Sequence, residues 1–221
     1  MMRLDTIQLR RVLPAVFKGA EGEPPVSRSE VWLHDVAFSR PGTYMIEAES
    51  GTGKSSLCSY IYGNRSDYSG EILFNGRDIR SLSVKEWCDL RCRHIALLPQ
   101  EMRLFPELTA MENIEIKNRL TGCKGRDGIM AMLDRLEIAH KADVAASRLS
   151  IGQQQRVAIV RALCQPFDFI LLDEPVSHLD ARNNEVVAGL IAEEAAMREA
   201  AVIATSVGYA INLELTGKYS L

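Results

Sequence analysis

The chain has 221 residues, 47% of them hydrophobic and 25% charged, which is the composition of an ordinary folded domain and argues against a disordered chain. Its formal net charge of −3 gives no overall basic field for binding nucleic acid or an anionic membrane surface, so we expect no nucleic-acid partner. No apolar run reaches the roughly 20 residues that a membrane-spanning helix needs, and the amino terminus lacks the apolar segment of a signal peptide, so we expect a cytoplasmic location and no direct membrane insertion.

The cysteines indicate neither a disulfide framework nor a zinc site, because there are five of them and no C-x-x-C pair occurs. Cys88 and Cys92 are four residues apart and would share one face of a helix. That spacing suits either metal binding or plain packing, and packing is the simpler interpretation.

The predicted elements alternate between strands and helices, which indicates an α/β protein. In chain order they are strand 7–16, strand 31–38, strand 44–48, helix 54–63, strand 71–74, helix 84–93, strand 95–98, strand 169–172, helix 183–200 and strand 201–204. The dipeptide Asn75-Gly76 favours a tight hairpin turn. Between Gln100 and Arg148 the apolar periodicity is helical, which predicts an inserted helical lobe.

Residues 48–55 read A-E-S-G-T-G-K-S and lie between a predicted strand and a predicted helix. In this order, backbone N–H groups at a helix amino end can surround a phosphate, Lys54 can reach the outer phosphates, and the Ser55 hydroxyl can ligate Mg²⁺. The first glycine of the G-x-x-x-x-G-K-[ST] pattern is Ala48 here, and its methyl group would restrict backbone approach at that turn. The run predicts a phosphate loop with one altered position, although alone it could also be a chance loop.

Residues 169–174 read F-I-L-L-D-E, a continuous apolar run that ends in two acids. A buried strand of this kind beside the phosphate loop would deliver Asp173 to the magnesium shell, while the adjacent Glu174 could polarise the attacking water. Paired acids at this point could also be a strand end exposed to solvent.

Three further runs make the chain resemble the ATP-binding cassette (ABC) ATPases over nearly its whole length. They are A-L-L-P-Q ending at Gln100 and continuing L-F-P-E-L-T-A-M-E-N-I, L-S-I-G-Q at 149–153 continuing Q-Q-R-V-A-I-V-R-A-L, and P-V-S-H-L-D at 175–180. They look like the family's glutamine loop, its signature motif and its dimer-contacting loop. The L-T-A-M-E-N run and the short length resemble the compact lipoprotein-releasing, macrolide-export and cell-division type.

The resemblance implies a fold and a domain organisation. We expect a P-loop NTPase of ABC type, with a mixed core sheet flanked by helices, an antiparallel β subdomain and an inserted α-helical subdomain. Residues 1–221 would form a single ABC ATP-binding domain, with the helical subdomain at approximately 101–155.

The resemblance also implies an ATPase site that uses ATP and Mg²⁺. Glu174, Gln100 and Ser206 would be catalytic, and Ser55, Gln100 and Asp173 would hold the metal. Phe17 would stack on adenine, although a core or loop aromatic is the commoner explanation of such a residue. The remaining nucleotide contacts would come from Ser50, Gly51, Thr52, Gly53, Lys54, Ser55, Ser56, Ser150, Gly152, Gln153 and Asp180.

Family membership would supply two protein partners. A second copy would face the first head to tail, with Ser150 and Gly152 of each reaching the ATP of the other. An integral membrane permease subunit would dock a helix in a groove on the helical lobe and hold the chain at the inner face of the cell membrane. Met102, Leu104 and Phe105 would line that groove, or would simply close the core of the small lobe.

Several positions depart from the family pattern. The histidine expected after the last core strand is Ser206, whose shorter, uncharged hydroxyl should contact the phosphate more weakly. Ile151 replaces the first glycine of the signature and adds bulk at an interface that must close. Glu47 and Glu49 oppose a polyanion unless Glu47 has a local partner and Glu49 faces solvent.

Three functions therefore compete. The first is an ATP-hydrolysing motor that powers a membrane subunit, with slow or partner-dependent turnover. The second is an ATP-dependent clamp or regulatory module with little hydrolysis, which the altered positions favour and the intact Lys54, Asp173 and Glu174 oppose. The third is a soluble ABC protein acting on nucleic acid or cluster assembly, which the acidic composition, the absence of paired cysteine motifs and the lack of a second cassette count against.

Overall fold

A computed structural model describes residues 3–221, so the first two residues of the predicted 1–221 domain lie outside the described part. The elements are β1 Thr6–Pro14, β2 Asp35–Ser39, β3 Gly42–Glu47, α1 Lys54–Ile61, β4 Tyr68–Phe74, β5 Arg77–Asp78, α2 Val84–Arg93, β6 Ile95–Leu98, α3 Ala110–Asn118, α4 Arg126–Arg135, α5 Ile151–Leu163, β7 Phe169–Asp173, α6 Ala181–Arg198, β8 Ala201–Ser206 and β9 Gly217–Ser220.

The central sheet has the strand order β6-β7-β8-β3-β9, and every pairing in it is parallel. Its central strand β7 is buried along its whole length because both faces of the sheet are covered there. Along β7, Phe169 and Leu171 join the core shared with α1 and the first strands, whereas Ile170 and Leu172 join the core formed by α3 to α6. This double burial explains the continuous F-I-L-L run.

A second, antiparallel sheet has the order β2-β1-β4-β5 and packs its inner residues into the core shared with α1. Asn75 and Gly76 connect β4 to β5 with φ values of 48° and 81°. Two successive positive φ values are what a two-residue hairpin turn of this hand requires, so the predicted hairpin is confirmed. The core sheet that we expected to be mixed is therefore parallel, and the antiparallel strands form the separate sheet expected of the β subdomain.

The helices begin where their capping residues predict. Ser83, Thr109 and Ser150 each form a capping box with the Glu or Gln three residues later, and the Asp180 side chain accepts the Asn183 N–H at the start of α6. Helices α3 and α4 form the inserted helical lobe, and α5 runs from that lobe back to the central sheet, where it contacts β6. The α/β fold with an antiparallel sheet and an inserted helical region agrees with the sequence prediction.

Most predicted bounds lie within three residues of the observed ones, and two differences are larger. The strand predicted at 31–38 begins only at Asp35, because Leu33 has a φ of 61° and interrupts the extended chain. Strand β9 was not predicted, since its sequence G-K-Y-S contains no apolar run and its residues alternate between half-buried and exposed. It is an edge strand that pairs only with β3.

Candidate nucleotide site

The phosphate loop follows β3 and ends at the first residue of α1. Gly51 and Gly53 have φ values of 85° and 101°, a conformation that favours glycine, and Gly53 is the residue that caps α1. Lys54 is buried, and its Nζ donates to the backbone carbonyl of Glu49 at 2.9 Å across the loop. The loop therefore folds around the lysine side chain at a helix amino end, which is where an anion is stabilised.

Trp32 forms the floor of this loop. Its indole Nε1–H donates to the carbonyl of Thr52 at 2.9 Å, and a Cβ on Gly53 would lie 3.0 Å from the indole ring. Trp32 is completely buried. The Trp32 side chain thus supports the phosphate loop from below. Glycine at position 53 allows the indole ring to pack closely against the loop backbone.

Replacing Trp32 with Phe should weaken nucleotide binding, because the buried Thr52 carbonyl loses its donor and the loop loses its support. We expect an affinity about 10-fold lower for a non-hydrolysable ATP analogue, equivalent to the roughly 1–3 kcal/mol that an unsatisfied buried polar group costs. Isothermal titration with the analogue measures this affinity. The other tryptophan, Trp87, lies on α2 against Phe74, so Trp87→Phe is the matched control. Equal affinities for the two variants would contradict this role of Trp32.

The two acids of the F-I-L-L-D-E run are held in place by Thr205 on the neighbouring strand. The hydroxyl of Thr205 donates to Asp173 Oδ1 at 2.8 Å and accepts the Glu174 N–H at 3.2 Å. Asp173 and Thr205 are direct partners in the β7–β8 register, and both are buried. Glu174 has a φ of 50° and its Oε1 lies 3.8 Å from Lys54 Nζ. Both acids therefore lie at the carboxyl end of β7, and Glu174 is next to the lysine of the phosphate loop.

Gln100 lies directly after β6 and faces the first turn of α1. The hydroxyl of Ser55 donates to Gln100 Oε1 at 3.5 Å, a long hydrogen bond between two exposed side chains. Ser55, Gln100 and Asp173 thus offer a hydroxyl, an amide oxygen and a carboxylate. Oxygen donors of this kind fit Mg²⁺, which is usually bound through one or two carboxylates together with phosphate and water oxygens.

A cavity of about 270 Å³ is lined by Ser55, Gln100 and Glu174 but not by Asp173. Its walls are Ser50, Gly51, Gly53, Lys54, Ser55, Ser56, Gln100 and Glu174. A larger cavity of about 590 Å³ lies on the other side of the phosphate loop, between Arg28 and the residues around Glu47. We assign the phosphate site to the smaller cavity, because the larger one contains none of Lys54, Ser55, Gln100 and Glu174.

Burial keeps the Cys58 thiol, which lies on α1, in its protonated form. Cys58, on α1, is buried, and burial followed by the negative charge of Asp173 raises its pKa well above the ordinary value. The thiol therefore stays protonated at neutral pH and packs as a small apolar group.

The residues of the L-S-I-G-Q run do not line this cavity within one chain. Ser150 is exposed and caps α5, and its hydroxyl accepts the Gln153 N–H at 3.3 Å. A Cβ on Gly152 would lie 3.0 Å from the carbonyl of His178. Gly152 is thus needed for close contact between α5 and the loop that follows β7.

That loop is tied to α5 by a buried side chain. Gln155 donates to the carbonyl of Glu174 at 3.2 Å and accepts the His178 N–H at 3.1 Å. Asp180 is exposed at the end of the loop, and the N–H and side chain of Asn183 lower the pKa of its carboxyl. Hydrogen bonds within the chain therefore connect Glu174, the candidate catalytic carboxylate, to helix α5.

Phe17 lies beside the phosphate loop in the short 3₁₀ turn that follows β1. Its ring edge would be 3.5 Å from a Cβ on Gly53, and it packs partly buried against the core shared with α1. The structure thus places Phe17 beside Gly53, on the same side of the loop as Trp32. Its role there stays a prediction.

The altered positions are accommodated locally. Ala48 is not among the residues with positive φ, so the backbone conformation at this position does not require glycine. Glu47 pairs with Lys218 at 2.9 Å, and the Glu49 side chain is exposed. These two placements match the alternative in which neither acid opposes the phosphate.

Ser206 ends β8 as a buried residue whose hydroxyl has no hydrogen-bond partner in the described part of the chain. Its carbonyl accepts the Ala48 N–H at 3.1 Å, so the backbone at this position is attached to the start of the phosphate loop. A buried hydroxyl without a partner is uncommon and is a group that can accept or donate to a ligand.

Comparison with known proteins places the chain in a family. The ABC transporter family model matches residues 35–177. The chain belongs to the ABC transporter ATP-binding proteins. It is 37% identical to the ABC transporter ATP-binding protein YtrE of Bacillus subtilis over 79% of this chain and 75% of that protein. It is 38% identical to the macrolide export ATP-binding/permease protein MacB of Pasteurella multocida over 66% of this chain, which is 23% of the longer protein.

Solved structures of ABC cassettes share the fold. The dimeric structure of MJ0796, a bacterial ABC transporter cassette, superposes with a TM-score of 0.73 at 24% identity, over 90% of this chain and 87% of that one. MJ0796 in a post-hydrolysis state bound to ADP and Pi superposes with a TM-score of 0.68 at 25% identity over the same shares. ABC ATPases bind ATP and act with membrane permeases. None of the helices in residues 3–221 of this ABC subunit is long and apolar enough to cross a bilayer.

The residues predicted to line a partner groove divide into two groups. Met102 and Leu104 are partly buried and pack against the core formed by α3 to α6, as the simpler interpretation expected. Phe105 is 53% exposed, and the exposed Ile116 and Leu120 lie on the neighbouring helical lobe. Only Phe105 of the three predicted residues is presented on the surface of the ABC subunit.

Sequence analysis missed Trp32 and Thr205 as contributors to the site. Trp32 fitted the apolar alternation of a strand, and nothing in its neighbourhood signals the loop above it. Thr205 precedes Ser206 in the run V-I-A-T-S-V, but its pairing with Asp173 follows from the strand register alone. Both residues act from elements that are distant along the chain.

Proposed function

We propose that this ABC subunit hydrolyses ATP and that two copies close head to tail over the nucleotide to power a separate membrane subunit. One observation carries the proposal: Lys54, Ser55, Gln100 and Glu174 line one cavity at the carboxyl ends of β3, β6 and β7. A clamp that only bound nucleotide would not need the acid Glu174 beside the lysine.

Each residue has a role in this proposal. Lys54 and the N–H groups of the loop bind and orient the outer phosphates, with the charge of Lys54 placed 3.8 Å from Glu174. Glu174 accepts a proton from the attacking water, and Asp173, Ser55 and Gln100 hold Mg²⁺. An Mg²⁺ ion held by these three residues would supply positive charge against the charge that develops on the phosphates. Phe17 stacks on adenine.

Closure of two copies completes the site. Ser150, Gly152 and Gln153 stand at the exposed amino end of α5, where the helix dipole and free N–H groups favour an anion. Because they lie outside their own chain's cavity, they serve the ATP of the second copy. Asp180 lies in the loop that would contact the partner copy, and a permease would hold the pair at the inner face of the membrane.

Turnover of the isolated chain is expected to be slow, because Ser206 replaces a cationic donor with a short hydroxyl. Loss of one well-placed donor lowers a rate by about 100-fold or more in other enzymes. The test is phosphate release by the purified chain with Mg²⁺ and ATP, alone and with its membrane partner. We expect slow release that the partner accelerates; release at the rate of ordinary family members from the isolated chain would refute slow turnover, and no release under either condition would favour the clamp.

A further inference from the structure

The turn that carries Gln100 is strained and must be held by its surroundings. Met102 and Arg103 have φ values of 57° and 49°, so two successive residues other than glycine occupy the left-handed region. Each such residue is less stable there than in ordinary backbone conformations. A turn of this kind persists only where neighbouring groups determine it.

Arg161, on α5, supplies that support. Its guanidinium donates to the carbonyl of Arg103 at 2.8 Å and also to the carbonyl of Met102. The planar guanidinium can bond both carbonyls at once, which a lysine ammonium does less well. On the other side of the turn, Asn113 of α3 is fully buried and bonds both the N–H and the carbonyl of Phe105 at 2.8 and 3.0 Å.

The charge of Arg161 has no acidic partner. Within residues 3–221, no carboxylate oxygen lies within 4.0 Å of its guanidinium. Burial lowers the pKa of this guanidinium, which nevertheless stays protonated. A half-buried cation with no carboxylate must find its compensation in hydrogen bonds, and here those bonds go to the two strained carbonyls.

Arg161 therefore connects two parts of the nucleotide site. It stands three turns along the helix that begins beside Ser150, and the turn it holds carries Gln100 next to Ser55. We propose that Arg161 is a positioning residue that keeps the Gln100 side chain within reach of Ser55 and of the metal bound with ATP. The inference rests on the proposed ATP site and adds to it a fixed link between α5 and the metal ligand Gln100.

The test compares the affinity for a non-hydrolysable ATP analogue with Mg²⁺ and with EDTA, by isothermal titration. Arg161→Ala and Gln100→Ala should each weaken binding in Mg²⁺ by about 10-fold, the lower end of the loss seen when groups orienting a metal ligand are removed. Binding in EDTA should remain within about twofold of wild type, because the phosphate loop is untouched. Arg119→Ala, which removes a guanidinium 76% exposed on the helical lobe, is the matched control and should behave as wild type.

The double variant separates positioning from an independent effect. Combined with Gln100→Ala, Arg161→Ala should cause no further loss in Mg²⁺, because Arg161 acts through Gln100. Additive losses, an equal loss in EDTA, or a wild-type response of Arg161→Ala to Mg²⁺ would each overturn the inference.

Arg161→Lys keeps the cation without the two-pronged geometry and carries the same test if Arg161→Ala does not fold. The affinity of Arg161→Lys for the analogue in Mg²⁺ should lie between that of wild type and that of Gln100→Ala. An affinity in Mg²⁺ equal to that of wild type would overturn the inference. If the wild-type chain itself binds no analogue in Mg²⁺, the proposed function fails. If wild type binds and the Arg161 variants match it, only the positioning role fails.

Discussion

Glu174→Gln should lower ATP turnover by about 100-fold or more while leaving nucleotide binding intact. The amide keeps the size of the side chain but cannot accept a proton from water. The left-handed backbone of Glu174 and its N–H bond to Thr205 do not depend on the carboxylate, so the local structure should survive. Phosphate release under saturating ATP measures the loss, and titration with a non-hydrolysable analogue measures binding.

The same variant should accumulate as an ATP-dependent dimer, because two copies would close over ATP and the variant would leave that ATP intact. Glu185→Gln makes the same chemical change on the exposed surface of α6 and should turn over ATP as wild type does. Unchanged turnover in Glu174→Gln would remove Glu174 from the chemistry and support the clamp alternative.

Asp168→Ala should lower the free energy of unfolding by about 3–5 kcal/mol, the cost of leaving a buried charge without its partner. Asp168 is buried just before β7 and accepts from Arg40, from the Leu4 N–H at 2.8 Å and from His94 Nδ1 at 2.6 Å. The Arg40 side chain is 5% exposed, and its other acid, Asp5, is 59% exposed. Removing Asp168 therefore leaves the Arg40 charge poorly compensated.

Urea unfolding followed by circular dichroism measures this loss. Glu199→Ala is the matched control, because the Glu199–Arg3 pair is exposed and should contribute less than about 1 kcal/mol. Asp168 lies at the amino end of β7, and the nucleotide site lies at the carboxyl ends of the parallel strands. The folded variant should therefore keep its affinity for nucleotide. A loss no larger than that of Glu199→Ala would contradict this account of the buried ion pair.

The sequence predicts best the elements whose signal is local. Helix α2 and strand β6 begin and end at the predicted residues, because Ser83 caps the helix and the apolar run 95–98 is buried. For α6 the prediction begins at residue 183, but the helix begins at Ala181 because the capping side chain is Asp180. Its other end is Arg198, since Glu199 adopts a left-handed conformation.

The phosphate loop and the acids of β7 are also visible in the sequence, because each motif combines its residues within a few positions. The parts that escaped prediction depend on contacts between distant segments. Thr205 contacts Asp173 through strand register, and Trp32 supports the loop 20 residues further on. Arg161 supports a turn 58 residues away from itself. No local pattern in the chain encodes these pairs.

The central claim is that Lys54, Ser55, Asp173 and Gln100 together bind a magnesium nucleotide. The most direct measurement is an equilibrium titration of the purified chain with a non-hydrolysable ATP analogue in Mg²⁺. We predict saturable binding of one nucleotide per chain, tighter than about 1 mM, the upper end of ordinary substrate affinities, and its loss in Lys54→Ala. Failure of the wild-type chain to saturate, or equal binding by Lys54→Ala, would contradict the account.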